Sequence, residues 1–264
     1  VVDIGKILLA KQLKHKMTPK NILTIKKIIS ILLVALVFSS CQSNKLSYVE
    51  KTNGYTLLFD GKSNAGWRGA YQNQFPSHGW VIKNQQLLGQ LSSGKESGDG
   101  GDIITLKKYK NFDLSFDWKL GKLGNSGVKY FVEELPQKPA NSSSLIGYEY
   151  QLIDDPDFIY NDKHLPEDHK TGALYNMVPP NKPDVKIGQW HTSRIVVKGE
   201  QIEHWLDNKM IVSVNRNSNE FRDGFLQSKF KSITGYDKRK EGYILLQDHG
   251  HNVAFKNIKI KELD

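Results

Sequence analysis

Phe112-Asp113-Leu114-Ser115-Phe116-Asp117-Trp118-Lys119-Leu120 decides the fold. Apolar side chains stand at every second position with polar ones between them, the period of a strand that keeps one face on a core. The alternation recurs on both sides of this stretch. Val128, Tyr130 and Val132 follow a Gly124-Asn125-Ser126-Gly127 turn, and Tyr148, Tyr150 and Leu152 come next. Residues 195–198, 202–206 and 210–214 add three runs, separated by Gly199 and by Asp207-Asn208, which suit tight hairpins. Residues 102–104 open the series, and 243–247 and 253–260 close it. No stretch keeps helical periodicity over three turns. Short strands punctuated in this way predict an all-β chain, a two-sheet antiparallel β-sandwich or jelly roll.

Two stretches break the pattern. Residues 134–144 read as a polar loop. Residues 154–188 carry Pro156, Pro166, Pro179, Pro180 and Pro183 together with Tyr160, His164, His169 and Tyr175. A connection this long in a compact domain is read as a loop folded over a site.

The charge is unevenly placed. Of the net +9, residues 1–40 supply +6 (seven Lys against one Asp), and the rest holds 30 basic and 27 acidic side chains. A nucleic-acid binder concentrates charge on its working domain, so no nucleic-acid partner is expected. The charge instead marks a leader. Lys26-Lys27, an apolar run 28–38 and Ser39-Ser40 precede Cys41, the chain's one cysteine. A run of eleven residues is short for a permanent membrane span. The Ser-Ser-Cys ending resembles a lipobox, with Phe38 departing from the usual Leu. The expected organisation is a leader over 1–40 (translation starting at Met17), lipidation at Cys41, a polar tether over 41–53 and a β domain over 54–264. The expected place is the bacterial cell envelope, lipid-anchored, periplasmic or at the outer membrane. The alternative for Cys41 is an ordinary buried or free thiol.

An ordered set of blocks then resembles one family. It runs from Leu57-Leu58-Phe59-Asp60-Gly61-Lys62 and Gly66-Trp67 through Gly101-Asp102-Ile103-Ile104-Thr105 and the 112–118 strand to Gly124-Asn125-Ser126-Gly127. It continues with Tyr148-Glu149-Tyr150-Gln151-Leu152-Ile153-Asp154-Asp155, Gly172-Ala173-Leu174-Tyr175 and Gly188-Gln189-Trp190. It ends with 203–208 and Leu246-Gln247-Asp248-His249-Gly250. The set is similar to the 3-keto-disaccharide hydrolase domain family. The resemblance implies a concanavalin A/LamG-like sandwich acting on a 3-keto-glycoside. Family members often carry Arg soon after Asn-Ser-Gly; this chain has Val128-Lys129-Tyr130-Phe131, so no arginine role carries over.

A glycoside oxidised at C3 has an acidified proton on C2 and a C1 oxygen β to the ketone. Cleavage by elimination then needs a base and a cationic donor or metal for the enolate oxygen. An ordinary glycosidase needs two carboxyl groups flanking the bond. The residues alone leave both routes open.

Glu149 and Gln151 share a strand face opposite Tyr148, Tyr150 and Leu152, with Asp154 at the strand end. Glu149 is the candidate base or metal ligand; a solvated strand face is the alternative. Gln247, Asp248 and His249 end an apolar run, with Asp248 and His249 as candidate catalytic groups, or else a turn cap. His251 close by suggests a possible divalent metal ion. Tyr175, Arg194 and His164 complete the candidate substrate contacts. His204 and Glu203 read as strand decoration, and Trp118 as core.

No Gly-x-Ser-x-Gly elbow, His-Glu-x-x-His motif or phosphate-cradling loop occurs. The ketone would come from an upstream sugar 3-dehydrogenase, so no nicotinamide is expected here. The rival reading is a non-catalytic carbohydrate-binding sandwich.

Overall fold

The computed structural model describes residues 44–92, 98–135, 145–160 and 163–264. The expected leader, Cys41 and most of the 134–144 loop lie outside the described residues. The strands are β1 (Thr56–Leu57), β2 (Trp67–Gly69), β3 (Trp80–Lys83), β4 (Gln86–Gly89), β5 (Ile103–Tyr109), β6 (Phe112–Leu120), β7 (Asn125–Val132) and β8 (Tyr148–Ile153). They continue with β9 (Ile159–Tyr160), β10 (Lys163–His164), β11 (His191–Lys198), β12 (Gln201–Leu206), β13 (Lys209–Asn215), β14 (Gly242–Leu246) and β15 (Val253–Glu262). Two short helices, α1 (Tyr48–Thr52) and α2 (Asn219–Gln227), decorate them.

The first sheet runs β13-β12-β11-β6-β15-β4-β3, with β1 beside β15; the second runs β2-β5-β14-β7-β8. The strands within each sheet pair antiparallel. The fold is thus the two-sheet antiparallel sandwich that the alternation predicts. β6 sits at the heart of the first sheet, and its Leu114, Phe116 and Trp118 are fully buried. They share one core with Val128, Tyr130, Tyr148, Tyr150 and Leu152 of the second sheet. The Phe116 ring meets Tyr150 edge-on at 5.8 Å, a favoured arrangement of two ring quadrupoles.

A polar seam crosses this core. The Trp118 indole donates to Ser193 Oγ at 2.8 Å, and Ser193 Oγ donates to the Tyr150 hydroxyl at 2.8 Å. Tyr150 in turn donates to the Trp205 carbonyl at 3.2 Å. His204 Nδ1 donates to the Gly172 carbonyl at 2.9 Å, so its Nε2 accepts from the Tyr130 hydroxyl at 3.0 Å. Burial disfavours the imidazolium and lowers the His204 pKa to about 4. His204 is therefore a core residue, not strand decoration. The seam ties β7 and β8 to the first sheet.

Several local expectations change. The sandwich starts before residue 102: β3 and β4 form a hairpin whose turn, Asn84-Gln85, has both φ angles positive. Asn125-Ser126-Gly127 belongs to β7 and not to a turn. Val132 leaves the face of Val128 and Tyr130 because β7 is bulged. Lys129 pairs with Leu245 and Val132 with Tyr243, so Tyr130 and Phe131 together oppose Ile244. Phe131 takes φ 56° and joins the core, while Val132 packs in a second cluster. The 154–188 segment holds the β9–β10 hairpin, a 3-10 turn at Glu167–His169 and a stretch lying along β8. The Asp207-Asn208 turn, with φ of 46° and 66°, and Gly199, with φ 58°, sit where the hairpins need them.

Candidate active site

β7 and β8 differ from every strand of the first sheet. β6 alternates between buried and half-exposed positions over most of its length, whereas β8 is buried at all six. Its Tyr148, Tyr150 and Leu152 face the core, so alternation turns Glu149 and Gln151 to the outer face of the second sheet. Lys129 and Asn125 of β7 share that face, as do Leu245 of β14 and Gln247 just beyond it. Register fixes two lateral rows. One is Leu245, Lys129, Glu149; the other is Gln247, Gly127, Gln151. Past β8 the Tyr175 N–H donates to the Glu149 carbonyl at 3.0 Å, and Leu174 bridges Tyr150. Tyr175 thereby extends the first row.

Polar groups on this face are buried: Lys129 is 4% exposed, Glu149 6% and Gln151 3%. Ile104, Val132, Leu145 and Leu245 form an apolar cluster beside them. Lys129 Nζ lies 4.0 Å from Glu149 Oε2 and donates to the Leu145 carbonyl at 3.2 Å. The other carboxylate oxygen lies over Gly127: a Cβ there would stand 2.3 Å from Glu149 Oε1. That close approach explains a glycine inside a buried strand. A carboxylate and an ammonium held together out of water interact strongly, at a desolvation cost that a merely structural pair seldom recovers.

His169 borders the first row. Its ring meets Tyr175 edge-on at 4.7 Å, and Nδ1 lies 2.9 Å from Asp168 Oδ1. The His169 hydrogen bond holds the Asp168 carboxyl below its ordinary range. Asp168 is itself anchored by its backbone, because its carbonyl accepts from the Asn176 N–H at 2.8 Å. On the opposite side, past Gln247, the His249 and His251 rings stand 5.5 Å apart.

Asp248, expected as a catalytic group, occupies a backbone cradle instead. Its Oδ2 accepts from Gly100 N–H at 3.0 Å and Gly101 N–H at 3.1 Å, and Oδ1 accepts from Gly250 N–H at 2.9 Å. Burial still leaves its pKa above the ordinary value, opposed by those three donors. The carboxylate thereby ties the chain between Gln247 and His249 to Gly100, Gly101 and Gly250.

Three expected substrate contacts lie elsewhere. Arg194 makes a two-pronged pair with Asp113 on the outer face of the first sheet, stacked over Trp205 at 5.5 Å. Asp154 accepts from Leu123 N–H at 2.8 Å and lines a groove of about 640 Å³ with Lys122, Asp157 and Asp184. His164 is exposed on β10. For Arg194 strand register sets the side chain on the first sheet, away from the Glu149 row. Glu149, Gln151 and Gln247 share the outer face of the second sheet, with Tyr175 hydrogen-bonded beside Glu149 and His249 two residues past Gln247.

Lys129 was not among the expected site residues. Its signal was a lone charge inside the apolar run Val128-Lys129-Tyr130-Phe131, which a half-exposed strand would also show. His169 was legible only as part of a long loop. Among the described residues no group of three or more His, Cys, Asp or Glu is close enough to hold a metal ion. Lys129 is a positive group that the described residues bring to Glu149.

Comparison with known proteins places the chain in a family. A relative from Bacteroides thetaiotaomicron called 3-keto-disaccharide hydrolase is 30% identical over 246 residues, 85% of this chain and 84% of its own. A crystal structure from Parabacteroides distasonis, described as a candidate glycosyl hydrolase, is 34% identical with a TM-score of 0.74. It covers 84% of this chain and 100% of its own. A second P. distasonis structure, 23% identical with a TM-score of 0.60 over 79% of this chain and 99% of its own, shares the fold. A model of the 3-keto-alpha-glucoside-1,2-lyase-like domain matches residues 54–261, nearly the whole described sandwich, and the chain belongs to that family.

Proposed function

We propose that the chain cleaves 3-keto-glycosides by removing the C2 proton, expelling the C1 oxygen and then adding water. Family membership makes it a glycoside-cleaving enzyme. The observation that carries the finer reading is the buried Glu149–Lys129 pair. Glu149 takes the proton from C2, and the electron pair moves onto the C3 ketone oxygen as an enolate. Lys129 stabilises that oxygen in a site where water does not compete. The enolate returns its electrons, a C1–C2 double bond forms, and the C1–oxygen bond breaks. The leaving oxygen takes a proton from a histidine on the same face, His169 beyond Tyr175 or His249 beyond Gln247. Water then adds at C1, giving a proton back to that histidine, while Glu149 returns a proton to C2, and the free 3-keto sugar results. The proximity of one carboxylate and one ammonium suits this route better than displacement between two carboxyl groups.

The test incubates the full chain in D₂O with a 3-keto-disaccharide and with its unoxidised parent. Cleavage of the ketone alone, with one deuterium at C2 of the product early in the reaction, is the expected result. Cleavage of both sugars without deuterium would replace elimination by ordinary hydrolysis. Gln replacements at 169 and 249 separate the two histidines, since only loss of the acid raises the sensitivity of rate to leaving-group pKa. The substrate chemistry also requires an oxidoreductase acting earlier at C3.

A further inference from the structure

Buried polar atoms without a hydrogen-bond partner are scarce in folded proteins, and each calls for a reason. Among the described residues Ser92 Oγ, Asn125 Oδ1, Gln247 Oε1 and His251 Nδ1 are of this kind. All four gather at one end of the second sheet. Asn125 opens β7 and pairs with Ile153, Gln247 is hydrogen-bonded through its N–H to Gly127, and Ser92 N–H donates to the Gly250 carbonyl. His251 stands beside His249 and 6.5 Å from the Phe158 ring. Asn125 is two residues before Gly127, the glycine under the Glu149 carboxylate. That is about 7 Å along the strand.

We propose that Asn125, Gln247 and His251 form a subsite for the hydroxyls of the group leaving from C1, making the enzyme selective for a sugar as leaving group. Two amide oxygens accept from hydroxyls, and their NH₂ groups can donate to others. An imidazole beside them adds a third polar contact, and burial lowers its pKa. The Phe158 ring offers an apolar wall to a sugar face. Asp248 holds the backbone of this corner through the glycines around it. An unbound corner of this kind leaves its polar atoms unpaired, and a hydroxylated leaving group pairs them.

The inference rests on the elimination reading, and the experiment separates the two. The full chain and its Asn125→Leu and His251→Phe variants are compared on a 3-keto-disaccharide and on methyl 3-keto-glucoside, whose leaving group carries no further hydroxyl. Each variant should lose at least tenfold in kcat/KM on the disaccharide and less than twofold on the methyl glycoside. Equal losses on both substrates, or no loss on either, would overturn the subsite. If the wild-type chain cleaves neither substrate, the reaction is misread, and the subsite is judged by calorimetry with the unoxidised disaccharide. Binding weakened at least tenfold by Asn125→Leu then supports it; no wild-type binding, or unchanged binding, overturns it. Circular dichroism and thermal melting of both variants exclude misfolding as the cause.

Discussion

The two sheets of the sandwich use the same strand chemistry to different ends. On the first sheet, β11 and β12 alternate between core and solvent, and their outer residues find partners within that sheet: Arg194 of β11 with Asp113 of β6, and Trp205 with Glu203 on β12. On the second, β7 and β8 are buried on both faces, and the outer face holds a carboxylate, an ammonium and amides. An outer face that water can reach costs little to make polar. One that water cannot reach is expensive to make polar, and such expense is concentrated at functional sites.

This contrast can be broken by substitution. Glu149→Gln should cost the most, about 10³-fold in kcat, as expected for a lost general base; a loss under tenfold would remove Glu149 from the chemistry. Lys129→Met should lower kcat about 10²- to 10³-fold, the cost of one donor to a developing oxyanion. Gly127→Ala keeps every functional group but puts a methyl where Glu149 Oε1 lies. Misplacement of the carboxylate should cost up to about 10²-fold in kcat with KM little changed.

Replacements in the first sheet should leave the chemistry alone. His204 binds a proton in the unfolded chain near its ordinary value of about 6.5 but in the fold only near 4. The unfolded state therefore gains protons first as pH falls. Stability present above pH 6.5 is lost between about 6.5 and 4, by about 3 kcal/mol. Urea melts at pH 7 and pH 4.5 should show most of that loss, about 2 kcal/mol, in the wild type, and His204→Gln should lack it. Arg194→Ala should change kcat/KM less than twofold and stability by about 1 kcal/mol or less, since its pair is partly exposed. An Arg194 effect on activity as large as that of Glu149 would end the division between sheets.

Much of this was legible in sequence, for a physical reason. Period-two alternation in 112–120 and 148–152 encodes which side chains face a core, because strand geometry is local. It therefore placed Glu149 and Gln151 on one face correctly. It failed at Val132 because the β7 bulge adds a residue that shifts the phase. Nor could it show the cradle of Asp248, two of whose three glycine donors lie almost 150 residues away in the chain, or the Asp113 pair of Arg194, whose sheet could not be known from its own strand.

The sequence by itself determined the strands, the tight turns and the two-sheet architecture, since these follow from local periodicity and turn chemistry. It also determined the family, through ordered blocks spread over the domain. Tertiary structure decided which outer face is dry, and pairing did so by setting Lys129 of β7 opposite Glu149 of β8. A carboxylate becomes a candidate base through the charge beside it and the water kept from it. Both are properties of strands brought together, and neither is written in any one of them.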